Sequence, residues 1–125
     1  MNKEMSNCES IVMKIVWDSK EDISTSEIIE QLKVKYNKNY ARTTVVTFIQ
    51  RLIEKGYVTR YKKGRASFIH PIKDLTQHQQ KIVQEIDDLW FDGNVESLFS
   101  ELCNVRKLTK EEVNDIRRAL DELDN

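Results

Sequence analysis

The segment "YARTTVVTFIQRLIEKG", Tyr40 to Gly56, decides the fold. At 100° per residue, Val45, Phe48, Ile49, Leu52 and Ile53 fall at i, i+3, i+4, i+7 and i+8 and make one broad apolar face. The spacing predicts a helix from Ala41 to Lys55, with Gly56 just past its end. Opposite that face lie Thr43, Thr47, Gln50 and Glu54, with Val46 on one shoulder and Thr44 and Arg51 on the other. β-Branched threonines are poor helix formers, because the preceding turn restricts them. Three so close together, where Glu and Lys would serve a solvated surface better, point to a partner outside the chain. The DNA major groove is one that fits. Thr43 and Thr47 each offer a hydroxyl and a methyl, Val46 a purely apolar contact, and Gln50 a two-pronged amide suited to adenine. Arg42 and Arg51 sit at the edges, within reach of phosphates, and the Tyr40 hydroxyl is a further phosphate donor.

Outward from this helix the period changes. In "YVTRYKKGRASFIHP", Tyr57, Thr59 and Tyr61 alternate with Val58, Arg60 and Lys62, then Lys63-Gly64-Arg65 turns the chain into a second short run, Ala66 to Ile69. This predicts a two-stranded hairpin ended by Pro71, with Lys62, Lys63 and Arg65 at its tip. Before the central helix, "ISTSEIIEQLKVKY" opens on Ser24 with Glu27 three residues later, a capping-box spacing. Its stripe is Ile28, Ile29 or Thr25, and Leu32, with Tyr36 beyond, and "NKN" reads as a turn. Further upstream, Cys8, Ile11, Val12, Ile15 and Val16 form the stripe of a first helix that closes on Trp17. Three helices and a basic hairpin in this order predict a winged helix-turn-helix: the second helix crosses the DNA backbone and the hairpin is a wing on adjoining phosphates.

The charge distribution follows the same division. The net charge of −1 hides a split after Asp74: residues 1–74 carry 14 basic and 9 acidic residues, and residues 75–125 carry 6 and 12. Between Lys33 and Arg65 there are ten basic residues and one acid, Glu54, which marks a polyanion-binding face.

The acidic part reads as three further helices. Leu75, Ile82, Ile86 and Leu89 share a face, broken by Gly93 after Trp90 and Phe91. Val95, Leu98, Phe99, Leu102 and Cys103 share the next. Thr109 with Glu112 opens a last helix whose Val113, Ile116, Leu120 and Leu123 are spaced 3, 4, 3, a narrow seam of heptad type. The expected fold class is therefore mainly α. Residues 1–73 form a winged-helix DNA-binding domain with a two-stranded β wing, and residues 74–125 a helical region. With 39% hydrophobic and 33% charged residues, the core of such a chain is finished by a partner.

Other chemistry finds no residues to carry it. His70 and His78 are separated by Pro71, and Cys8 and Cys103 are far from both, so no metal site and no cofactor is expected. The cysteines fall on apolar faces and read as small core residues with free thiols. No Gly-rich phosphate loop and no nucleophile-base set can be assembled, so an enzyme is not expected. No signal peptide or membrane span is legible, which places the protein in the cytoplasm without membrane insertion.

Taken together, "SNCESIVMKIVW", "TSEIIEQL", "YARTTVVTFIQRLIEKGYVTRYKKGRASFIHP" and "LTKEEVNDIRRAL" resemble the penicillinase-repressor family of BlaI, MecI and CopY type over nearly the whole chain. The resemblance implies a homodimeric transcriptional repressor that binds double-stranded DNA at an inverted-repeat operator, in some members controlling β-lactam resistance genes. It assigns base reading to Thr43, Val46 and Thr47, and backbone contacts to Arg42, Thr44, Arg51 and the wing. It also implies that the C-terminal helices pair the protomers, which puts Ile86, Leu89, Trp90, Leu98, Phe99, Leu102, Val113, Ile116, Leu120 and Leu123 at the dimerisation surface. The β-lactam-responsive members answer a membrane sensor-protease signal by cleavage between Asn and Phe. The matching positions here are Glu101 and Leu102, a departure from that pattern. The paired cysteines of the copper-responsive branch are also absent, Cys103 standing alone. A different class of reading, a winged-helix adaptor binding an acidic protein through the same basic face, predicts no preference among duplexes.

Overall fold

The computed structural model describes residues 4–124. It contains α1 (Asn7–Asp18), β1 (Ile23–Ser24), α2 (Thr25–Tyr36), α3 (Arg42–Glu54), β2 (Val58–Lys63), β3 (Ala66–Pro71), α4 (Leu75–Trp90), α5 (Val95–Val105) and α6 (Lys110–Leu123). By internal packing the chain divides into two compact units, Met1–Gln79 and Gln80–Asn125.

The first unit is a three-helix cluster closed by an antiparallel sheet in the order β1-β3-β2. The hairpin pairs Val58 with Pro71 at its base and Lys63 with Ala66 at its tip, which leaves Gly64 and Arg65 as a two-residue loop. Gly64 takes φ 67°, the left-handed conformation that such loops require and that glycine adopts without a Cβ clash. β1 is an addition to the expected two-stranded wing. It pairs Ile23 with Ile69 and Ser24 with Phe68. A two-residue strand carries no period of its own, and only its partner in β3 reveals it.

Helix ends follow the sequence signals. The Ser24 hydroxyl accepts the Glu27 amide at 3.1 Å and so caps α2, which ends on Asn37 in the left-handed region. α3 stops in two reciprocal bonds, Gly56 N–H to Ile53 C=O and Tyr57 N–H to Leu52 C=O, with Gly56 at φ 83°. This closure turns the chain directly into β2.

The core consists of Val12, Met13, Ile15 and Val16 from α1, Ile23, Ile28 and Leu32, Val45, Ile49 and Leu52 from α3, and Tyr57, Val58 and Ile69 from the sheet. α3 buries the face its period announced. α1 differs: Glu9 and Met13 are buried, whereas Cys8 and Ile11 are only half-buried. The stripe is turned because Glu9, 2% exposed, meets Lys55 across the core edge with Nζ–Oε1 2.5 Å. Burial raises the Glu9 pKa, but hydrogen bonds from Lys55 and Ser6 outweigh it and hold the carboxyl below its ordinary value. The sequence shows a Glu on an apolar face. It does not show the cation 46 residues away.

The second unit contains the rest of α4 with α5 and α6. Asn94 caps α5 through the Ser97 amide. Thr109 and Glu112 form the reciprocal box at the start of α6, and Arg106 hydrogen-bonds Glu112 from outside. Those bonds, the Arg106 guanidinium first, hold the Glu112 pKa down at about 2. Among the described residues no side chain of α4, α5 or α6 is fully buried. Cys103, expected in a core, is exposed. It lines a shallow apolar concavity of about 320 Å3 with Phe99, Leu108, Val113, Ile116 and Leu120.

Candidate nucleic-acid interface

α3 reaches the surface with the face that its sequence set apart. Thr43, Val46, Thr47 and Arg51 are exposed, and Thr44 and Gln50 are half-buried at its edges. Burial of Val45, Ile49 and Leu52 fixes this orientation, because the two faces belong to one rigid helix. The first turn holds no acidic residue, and Ala41 provides no side-chain cap, so its leading amide N–H groups stay open. Thr47 Oγ1 donates to the Thr43 carbonyl at 2.9 Å, which turns its methyl and hydroxyl lone pairs outward.

The remaining expected residues are placed by three different elements. Arg42 is held by Ser26 on α2, Nη2–Oγ 2.8 Å. Lys62, Lys63 and Arg65 crowd the exposed tip of the hairpin, and among the described residues none of the three forms an ion pair. Arg42 and Arg65 meet at a cavity of about 140 Å3 lined also by Ser24, Thr25, Ser26, Val46, Ala66 and Ser67. Two guanidinium groups and several hydroxyls, with no carboxylate, suit an oxygen-rich anion such as a phosphate. The sequence reading did not find this cluster of hydroxyls. Its signal, Ser24-Thr25-Ser26, is spent in part on capping, and Ser67 joins it only through strand pairing.

Tyr40 stands apart from the others. Its hydroxyl lies 3.2 Å from Cys8 Sγ, and its ring packs edge-on against Phe48 at 5.4 Å. The hydrogen bond with Cys8 is the largest cause of a raised Tyr40 pKa. The half-buried ring thus props α3 against α1, and its hydroxyl already has a neighbour.

The wing is tied down along its length, short of its tip. Asp22, in the loop before β1, accepts the Tyr61 hydroxyl at 2.6 Å and lies 2.7 Å from His70 Nδ1. Tyr61 stacks on Phe68 beside it. The Tyr61 hydrogen bond is the main reason that Asp22 is held below its ordinary pKa, and the same bond raises that of Tyr61. The hairpin is therefore a stiff arm with free cations at the end.

In the second unit the residues assigned to pairing are open. Leu89, Trp90, Phe99, Leu102, Leu120 and Leu123 are exposed, Trp90 by 73%, and Leu98, Val113 and Ile116 are half-buried. Ile86 is exposed as well. Glu101 and Leu102 are both accessible on α5, and Glu101 accepts from Asn104 at 2.9 Å. Among the described residues no helix is long and apolar enough to cross a membrane.

The family model described as "Penicillinase repressor" matches residues 5–122. The chain is 26% identical over 122 residues to the penicillinase repressor of Bacillus licheniformis, covering 98% of this chain and 93% of that protein. It is also 26% identical over 117 residues to the methicillin resistance regulatory protein MecI of Staphylococcus aureus (strain N315), covering 94% and 93%. Among solved structures it is similar to the DNA-binding domain of the repressor BlaI in solution. The TM-score is 0.52 and the identity 31%, over 59% of this chain and 87% of that one.

Proposed function

The chain belongs to the penicillinase repressor family, and from that membership and the shape of its basic face we propose that it is a transcriptional repressor working as a homodimer on an inverted-repeat DNA operator. One observation carries the reading. The outward side of α3 shows Thr43, Val46 and Thr47 between arginines, on a surface continuous in sequence with a wing whose cations are unpaired. In this reading α3 enters the major groove, where Thr43, Val46, Thr47 and Gln50 meet base edges. Arg51 and Thr44 touch the flanking phosphates. Arg42 and Arg65 seat one phosphate in the hydroxyl-lined cavity, and Lys62 and Lys63 hold the next. Tyr40 contributes by setting the angle of α3, with its hydroxyl at the phosphate edge.

The second unit supports the homodimer. Its helices expose Leu89, Trp90, Leu120 and Leu123. A second copy supplies apolar cover. Two-fold pairing then presents two identical heads, and a pseudo-palindromic operator is the matching ligand. The domain division at residue 73 belongs to the same reading: a DNA-binding head before α4 and a pairing region from α4 onward, both acting in the cytoplasm.

Relatives named for penicillinase and methicillin resistance make β-lactam resistance genes the first targets to test. A sensor-protease input would have to act at Glu101–Leu102, which is exposed on α5 but departs from the Asn-Phe pair. The test is a binding titration against duplexes from the DNA upstream of the protein's own reading frame, with a scrambled duplex beside it. Preference for one upstream duplex, with an affinity that falls steeply as salt rises, is the expected result. Equal affinity for both duplexes would favour the adaptor instead.

A further inference from the structure

Gln50 does not stand free on α3. Arg60, on β2, donates from Nη2 to Gln50 Oε1 at 3.1 Å, and Gln50 Nε2 lies 3.5 Å from Glu54 Oε1. Arg60 pairs across the sheet with Ile69, which is fully buried, so its stem starts from the sheet face that covers the core. That register aims the guanidinium back at α3 rather than out along the wing.

The link changes what the amide can read. A free glutamine recognises adenine by accepting from N6 and donating to N7 together. Here a lone pair of Oε1 is already used, and a full positive charge sits beside it. The amino group of adenine carries partial positive charge and is repelled there. Guanine presents two acceptors on the same groove edge, O6 and N7, and is attracted by the neighbouring cation and by the Nε2 hydrogen that is not directed at Glu54.

We propose that Arg60 is a positioning residue that sets base specificity by holding Gln50 as a hydrogen-bond donor, so that Gln50 favours guanine over adenine. This rests on the reading of α3 as the base-reading helix, and it deepens that reading by naming a residue that decides the sequence preferred.

The experiment incubates the full chain with a pool of randomised duplexes and sequences those retained, for the wild type, Arg60→Met, Arg60→Lys, Gln50→Ala and Gln50→Glu. The wild type is expected to enrich a dyad with guanine at one symmetry-related pair of positions, and Gln50→Ala to lose preference at that pair alone. Arg60→Met, which keeps the stem without the donor, shifts that pair from guanine to adenine by about tenfold, the scale of one good base contact. Arg60→Lys restores guanine, because an ammonium also donates to Oε1. Gln50→Glu has no donor and exchanges guanine for cytosine, a result that stands even if Arg60→Met does not fold. Base frequencies unchanged in Gln50→Ala or in Arg60→Met would overturn the assignment. So would a uniform loss of affinity in Arg60→Met with a shallower salt slope, which is the mark of a phosphate contact. A wild type that enriches no dyad would instead remove the repressor reading itself, and this assignment with it.

Discussion

The two units solve the same problem in opposite ways. Every buried apolar residue among those described lies between Val12 and Ile69, in the first unit. The second unit is three amphipathic helices whose apolar faces remain open. The first therefore has its own cooperative core and offers a polar face to its partner. The second has no such core and offers an apolar face. In the proposed reading the first unit binds a polyanion and the second is completed by its own copy. A duplex and a second protomer ask for different surface chemistry, and that reading keeps them on separate units.

The sharpest break in this comparison comes from charging the seam. Leu120→Glu together with Leu123→Glu leaves the first unit intact and gives a monomer in sedimentation. Operator affinity then falls by about two to four orders of magnitude, because the second head no longer binds at high effective concentration. If the double variant remained a dimer, α6 would not be part of the pairing surface.

The next effect is on the head alone. Lys55→Ala strands the buried Glu9 carboxylate, and about 3 kcal/mol of stability should be lost in denaturant unfolding at neutral pH. The pH dependence separates the two proteins. In the wild type the folded Glu9 pKa lies below the unfolded one, so its contribution is complete above the ordinary carboxylate range and is lost as pH falls through the folded value. In Lys55→Ala burial is opposed only by the Ser6 bonds, so the folded pKa rises relative to the wild type and the variant recovers part of its deficit as pH falls.

A smaller effect separates readers from holders on the DNA face. Thr47→Ala or Val46→Ala should cost about 1–3 kcal/mol on the preferred operator and little on random duplexes. Lys63→Ala should weaken all duplexes alike and lower the salt slope by about one. An unchanged slope would take the wing tip off the DNA. The smallest effect belongs to the second unit: Glu112, held at about 2 by Arg106 and Thr109, should keep its α6 cap as pH falls through the ordinary carboxylate range and lose it only near that value. Titrating its carboxyl resonance checks this.

How much of this was legible in the sequence follows the range of each interaction. The α3 face, the caps at Ser24 and Thr109, the wing and the open C-terminal stripes all depend on residues within a few positions of one another, where period and turn chemistry speak directly. The missed features join distant residues. Glu9 with Lys55, Asp22 with Tyr61 and His70, and Arg60 with Gln50 each need the fold before they meet, as do Ser67 and Ser26 before they line one cavity. β1 belongs with them, since two residues became a strand only beside β3. Position alone marks Tyr40 as a phosphate donor, and the structure adds the contact with Cys8. Cys103 lies on the stripe expected of it, yet a stripe shows which residues share a face and not whether its own chain covers that face.

The most direct test of the central claim is a footprint of the full-length protein on its own upstream DNA, with sedimentation of the same complex. Two protected half-sites related by a dyad are expected, one helical turn or a multiple of it apart, with two protomers bound. A single protomer protecting no symmetric sequence would contradict it.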